Sequence, residues 1–356
     1  MSVPSGQKEN IASVIPAAKA RNELQKRPIP QPGDHEVLVR NHAIAVNPVD
    51  WKIQDYAFYV EEYPNVLGSD VAGVVEAVGQ QVKHIKEGDR VTGYAGVIWN
   101  QNPEEGAFQT YTLLRDFAIA VLPSSISFQD AASFPMQLAT VGSTFFLNFG
   151  LSLPSSTSLS LNHHQGKGIL IYGASSAVGT TMVQFASQWG FTVFAVASGK
   201  HEDYIKSLGA NYFFARDQAG FEAKIVAKVK KVNLFLHYGV DCISSGSTFT
   251  IASEILSKAR EPKSTVKLAT LLPWPKDTPK SDGVKPSPTA AYEIFSKEPQ
   301  VGAWLFNKYL TEQLAQGLLK PSPPVQIVEG GLGSTQKAWD LNKEGVSAKK
   351  LVVLVK

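Results

Sequence analysis

At residues 168–180 the chain reads GILIYGASSAVGT, an apolar run that breaks into small residues and then resumes with a helical pattern. A buried strand, a tight turn and a helix in that order open a βαβ unit. The amides at the positive end of such a helix suit a phosphate. As a dinucleotide fingerprint the turn from Gly173 to Gly179 is imperfect, because Ala177 stands where a central glycine would complete it. Alone, it reads equally well as a packed turn. Its surroundings favour a nucleotide: FTVFAVA (191–197), NYFFA (211–215) and VNLFLHYG (232–239) read as strands. They alternate with helical patterns at TTMVQFASQWG (180–190), HEDYIKSLG (201–209) and AKIVAKVKK (223–231). This alternation predicts an α/β domain in which helices cover both faces of a parallel sheet.

Before that unit the chain is strand-rich. EVLVR (36–40), DVAGVVEAVG (70–79) and DRVTGY (89–94) carry strand formers, with glycines marking bends or close backbone contacts, as in a small barrel-like domain. Ser127 is placed to cap a helix at FQDAASF, and Pro135 restarts it. SLPSSTSLSLNHHQGK (152–167) reads as a polar connector, in which His163 and His164 belong to loop chemistry. The proline-rich stretch 273–288 reads as a surface loop, WLFNKYLTEQLAQG (304–317) as an amphipathic helix and KKLVVLVK (349–356) as a last strand.

The chain's 356 residues, 44% of them hydrophobic, can bury a core divided between two domains. The formal net charge of +3, from 34 Lys and Arg against 31 Asp and Glu, is spread without a basic tract, which argues against a nucleic-acid surface. A single cysteine, Cys242, excludes an intrachain disulfide and a four-cysteine zinc site. MSVPSGQKEN lacks the apolar core of a secretion signal, and no apolar run approaches the ~18 residues of a membrane span. A cytoplasmic, membrane-free protein is the expectation.

In a doubly wound sheet the end of the second strand lies near the adenosine ribose. Ser198 and Lys200 there suit an added phosphate, where an acidic residue would suit NAD, so NADPH is the expected cofactor; Arg216 is placed to add a guanidinium. Each of these cations read alone is an ordinary surface charge.

YPNVLGSDVAGVVEAVG (63–79), KEGDRV (86–91), GAFQTY (106–111), the 173–179 turn and LGA (208–210), in that order, resemble the medium-chain dehydrogenase/reductase superfamily. The resemblance implies a barrel-like catalytic domain from both chain ends, 1–135 and 320–356, around a Rossmann-type nucleotide-binding domain, 136–319. NPVDWKIQDY (47–56) is most similar to fungal zinc-independent reductases, including trans-acting enoyl reductases and toxin-cluster oxidoreductases. Zinc alcohol dehydrogenases carry a cysteine where Asn47 stands, and their later His-Glu pair matches Ser69-Asp70, so no metal is expected.

The resemblance places Pro48, Val49, Asp50, Trp51 and Lys52 on the nicotinamide side. It places Ser175, Ser176, Ala177 and Val178 at the pyrophosphate, and Ser198, Gly199, Lys200 and His201 at the ribose phosphate. Val346 and Ser347 match the returning cofactor segment, and Arg216 stands where the family usually has tyrosine. Lys52 is the leading candidate beside the nicotinamide ribose or substrate carbonyl, with Tyr56, Tyr94, Gln137 and Thr140 as candidate pocket donors and water as an alternative proton source. Leu271 to Tyr292 corresponds to a variable substrate-facing loop, with Trp274 a candidate apolar wall, and reads equally as a partner-facing loop.

The implied activity is NADPH-dependent reduction of an activated carbon–carbon double bond, on a free or carrier-bound substrate, with a fungal polyketide synthase as candidate partner. A quinone or carbonyl reductase, and a noncatalytic nucleotide-binding sensor, are the alternatives.

Overall fold

The computed structural model describes residues 8–154 and 164–355. His163 and most of the expected polar connector lie outside the described residues. The chain divides into two compact units: residues 1–136, 302–346 and 350–356 form one, and residues 137–301 with 347–349 form the other.

In the first unit, β1 (Asn10–Val14) and β2 (Glu23–Arg27) form an antiparallel pair. A larger sheet contains β3 (Glu36–Ala45), β4 (Asp70–Val78), β5 (Arg90–Tyr94), β6 (Tyr111–Arg115) and β7 (Ile119–Val121). The glycines of β4 and its end mark close contacts, as their placement in the sequence predicts. A Cβ on Gly73 would lie 2.1 Å from the Arg40 carbonyl oxygen, and one on Gly79 2.0 Å from that of Gly33. Near Asn41 the β3–β4 register shifts. There the buried Asn41 amide donates to Ala107 O, Gln109 O and Thr112 Oγ1 at 3.1, 2.8 and 2.8 Å, which anchors the irregularity.

The second unit holds β8 (Gly168–Tyr172), β9 (Thr192–Ala197), β10 (Tyr212–Ala215), β11 (Leu236–Asp241), β12 (Val266–Thr270) and β13 (Val284–Pro288). They form one parallel sheet in the order β10-β9-β8-β11-β12-β13. Leu170, Phe194, Leu236 and Leu268 share a core with Ile225 and Leu256 from the covering helices Phe221–Lys231 and Thr248–Ala259. Ile169, Ile171, Val193 and Ala195, on the opposite face, are buried too. Burial on both faces gives near-continuous apolar strands. The stretch expected as a loop at 273–288 ends in β13, with Pro286 and Pro288 paired only to β12; an edge strand tolerates proline because its outer side donates to no neighbour. Trp274 packs edge-on against Phe249, 5.3 Å between centroids, and its indole nitrogen donates to Thr278 O, so the ring serves the core of its own unit.

The chain then returns to the first unit through β14 (Val325–Ile327), the helix Thr335–Glu344 and β15 (Lys350–Leu354), which extends the sheet as β14-β15-β3. The return begins earlier than the expected residue 320. Residues 304–310 form a π-helix, and Asn307 Nδ2 donates to Asp116 O and Ile119 O while Thr311 Oγ1 accepts from Val121 N. These bonds hold residues 302–319 in the first unit.

Replacing Gly73 by alanine should lower stability by about 2–4 kcal/mol, read as a reduced urea midpoint, because two paired backbones must part to admit the methyl.

Candidate active site

The turn that follows β8 in the second unit is set by sterics. Gly173 has φ +79°, and its Cβ would meet Ile243 at 2.7 Å; a Cβ on Gly179 would lie 2.2 Å from the Gly173 carbonyl oxygen. Only glycine at both positions lets the helix Ala177–Gln188 start this close to the end of β8. Ser176 caps that helix, accepting from Gly179 N at 3.0 Å, and the helix therefore begins three residues before the expected Thr180. Ser175, Ser176, Ala177 and Val178 are half-exposed between buried flanks, and Ala177 and Val178 occupy the first turn, where amides have no intrahelical acceptor. The neighbours of β8 are β9 on one side and β11 on the other, so the turn stands at the sheet's topological switch point. These features fit the pyrophosphate of a dinucleotide.

Asp241, at the end of β11, lies outside the residues expected from sequence. It is buried and accepts from Ile243 N, Ser244 N and Thr248 Oγ1 at 3.0, 2.9 and 2.6 Å. This fixes the loop whose Ile243 faces Gly173. No local signal distinguishes it from a surface aspartate.

At the end of β9, Ser198 and Gly199 precede exposed Lys200 and half-exposed His201. Burial and the charges of Lys200 and Arg216 hold the His201 imidazole below its ordinary pKa, which favours the neutral ring and places two cations beside it. His201 Nε2 lies 3.1 Å from Ser347 Oγ. Asp217 is the countercharge: its carboxylate accepts from Gly199 N at 3.2 Å and Ser198 Oγ at 3.3 Å. In the same unit, Gln137 is fully buried with Oε1 accepting from Thr181 Oγ1, and Thr140 is nearly buried. Gln137 is thus tied into the interior by one end of its amide.

The candidate residues of the first unit lie on the helix Pro48–Tyr56. Pro48 occupies its first turn, and the Asp50 carboxylate accepts from Asn47 N at 2.7 Å, half of a capping box. Pro48 is exposed and Val49 half-exposed, whereas Asp50 turns fully inward, so its carboxyl is a structural group of this unit. Lys52 is half-buried, its ammonium 5.5 Å from the Trp51 ring centroid; burial alone pulls its pKa down, with no carboxylate to oppose it. The other cation at that ring, Lys343, pairs with Asp55 at 2.6 Å. Tyr56 is 65% exposed in this unit and Tyr94 is buried in the sheet. Val346 is exposed at the end of the first unit, and Ser347 belongs to the second.

Behind this helix, Asn47, Asp70 and Lys350 form a buried polar cluster. The Lys350 ammonium donates to Asn47 Oδ1 at 2.6 Å and Asp70 Oδ2 at 2.9 Å, and Asn47 Nδ2 donates to the same Asp70 oxygen at 2.8 Å. Met136 N donates to Asp70 Oδ1. Asn47, Ser69 and Asp70, the positions matched to zinc ligands, provide neither sulfur nor imidazole, and a side-chain cation already contacts two of them. This donor set does not fit zinc. Among the described residues no group of three or more His, Cys, Asp or Glu side chains could hold a metal. Nor is any helix long and apolar enough to cross a membrane.

Two predictions follow from these geometries. Gly179→Ala should weaken dinucleotide binding at least about tenfold, measured by calorimetry, because the new methyl collides with the turn that presents the amides. Burial raises the Asp50 carboxyl from its ordinary 3.8 to about 8, against the opposing Asn47 amide. Between those values the unfolded chain has released a proton that the folded chain keeps, so Asp50 makes stability fall as pH rises through that window. Asp50→Asn should flatten that decline by up to about 1.4 kcal/mol per pH unit in urea melts between about pH 5 and pH 8.

The Alcohol dehydrogenase GroES-like domain matches residues 33–124. Dehydrogenase pigH of Monascus ruber is 36% identical over 97% of this chain and 99% of its own length. Trans-enoyl reductase tndF of Aspergillus flavipes is 34% identical over 97% and 99%. Zinc-binding alcohol dehydrogenase domain-containing protein cipB of Emericella nidulans is 33% identical over 97% and 98%. Among solved structures, the CurK enoyl reductase superposes with a TM-score of 0.74 at 19% identity, covering 98% of this chain and all of that one. A putative zinc-dependent alcohol dehydrogenase of Rhizobium etli gives 0.76 at 22%, covering 98% and 99%. These likenesses extend over nearly the whole chain, and the protein is an oxidoreductase that belongs to the medium-chain dehydrogenase/reductase family.

Proposed function

We propose that this protein reduces the carbon–carbon double bond of an enoyl or enone substrate with NADPH, without a metal, in fungal polyketide metabolism. The observation that carries the reading is the near full-length likeness to trans-enoyl reductases. The donor set at Asn47, Ser69 and Asp70 supports metal independence, because activation of the substrate carbonyl then falls to protein donors.

Ser175 to Val178 would hold the pyrophosphate, and Ser198, Gly199, Lys200, His201 and Arg216 the ribose phosphate. Bound NADPH would supply the hydride. The chain's part is to position the reactants and to offer donors where negative charge develops on the substrate carbonyl oxygen. Lys52 is the candidate donor: it is half-buried, and burial with no opposing carboxylate makes its proton easier to give. Saturation of a conjugated double bond also requires a proton at the α-carbon, from Lys52, Tyr56 or water.

Assay of NADPH and NADH against acyl-pantetheine enones, simple enones, quinones and aldehydes tests the activity. NADPH-selective formation of saturated acyl products, identified by mass, is expected; turnover only with quinones or aldehydes would refute the enoyl assignment. Lys200→Ala should weaken NADPH about tenfold and leave NADH nearly unchanged, whereas equal losses would remove Lys200 from the phosphate subsite. Asp217→Ala should tighten NADPH several-fold, because the Ser198 hydroxyl and Gly199 amide lose a competing acceptor.

A further inference from the structure

Lys350 opens β15 yet is only 3% exposed, and its ammonium is spent on two acceptors from distant parts of the chain. Asn47 is the residue that starts the helix carrying Lys52, and Asp70 opens β4. The contacts span 303 residues from Lys350 to Asn47 and 280 from Lys350 to Asp70. Asn47 bridges the other two, receiving the ammonium at Oδ1 and donating from Nδ2 to Asp70. The Asp70 carboxylate thus has three donors on two oxygens, from Lys350, Asn47 and Met136 N. One charge therefore fixes the origin of the helix from below, through the side chain of its N-terminal cap.

We propose that the Lys350 ammonium is a tethered cation that positions the helix Pro48–Tyr56 through its contacts with Asn47 and Asp70. Lys350 is then a positioning residue acting on Lys52 through Asn47. Its catalytic consequence rests on the reading above, that this helix serves the reductase reaction. A buried ion pair is a poor source of stability compared with apolar packing, but it is directional, and direction is what a helix origin requires.

Three variants of the full chain test this: Lys350→Ala, Lys350→Met, and Lys350→Met combined with Asp70→Asn, which removes both charges together. Lys350→Met strands a buried carboxylate and should lose on the order of 10 °C in Tm. The charge-free pair should recover most of that loss, which keeps the test readable if the single variants fail to fold.

Amide hydrogen exchange of residues 48–56 in the charge-free pair is the deciding measurement. Positioning by the ammonium predicts at least about tenfold faster exchange there than in wild type, with the rest of the sheet unchanged; wild-type protection would overturn the proposal. In Lys350→Ala, ethylammonium should restore protection where tetramethylammonium, which has no N–H, does not; equal effects of the two ions would likewise overturn it. In kinetics, the charge-free pair should lose at least about tenfold in kcat with KM for NADPH within about threefold, and an unchanged kcat would refute the catalytic consequence. A wild-type protein inactive on every acceptor would count against the reductase reading alone, because the exchange measurement does not use turnover.

Discussion

A single buried ammonium joins the last strand, the helix Pro48–Tyr56 and the start of β4 in the first unit. Lys350 meets Asn47 and Asp70 at 2.6 and 2.9 Å, so the last strand, the helix origin and the start of β4 converge on one charge. Removing one partner of such a pair typically costs about 3–5 kcal/mol, because the other is left charged in a medium that cannot solvate it. Asp50 lies in the same neighbourhood: burial pushes both carboxyls up, but at Asp70 the Lys350 ammonium opposes it by contact, whereas Asp50 has no cation in contact and holds its proton to about pH 8. Of two buried aspartates, one is paired with a lysine and the other is kept neutral. Together they spare the interior an unbalanced charge.

The second unit is organised by exclusion. Its glycine turn exists because Gly179 must pass within van der Waals contact of the Gly173 carbonyl, and Gly173 must pass beside Ile243. Asp241 holds the loop that makes the second contact. Amides at the start of the helix Ala177–Gln188 favour an anion, and the cations Lys200 and Arg216 lie after the neighbouring strand β9 and just beyond β10. Asp217 tempers that field. Its carboxylate accepts from the Ser198 hydroxyl and the Gly199 amide, so an anion arriving there would compete with it for those donors.

Where the chain's chemistry is local, the sequence was legible. The strand–turn–helix at 168–188 and the Ser127 cap follow from residues a few positions apart. The helix Pro48–Tyr56 was also written locally, as Asn47, Pro48 and Asp50 in the order of cap, first turn and third position, though a search led by hydrophobic periodicity passes over it. β13 was hidden for a different reason: its prolines argue against a strand until its place at the sheet edge is known. The early return at residue 302 was hidden as well, because Asn307 and Thr311 bind backbone groups nearly 200 residues away.

The sequence by itself determined the alternation of strand and helix, the phosphate-suited turn and the absence of sulfur or imidazole at the positions matched to zinc. Those are properties of residue type and short spacing. Only the tertiary structure decided that Lys350 is an interior cation, that Asp50 is a buried acid, that Gln137 is tied inward, and that Asp217 accepts from Ser198 and Gly199. A lysine or an aspartate carries no local mark of what it will meet. Its charge acquires a role when folding removes water and brings to it an acceptor from 280 or 303 residues away.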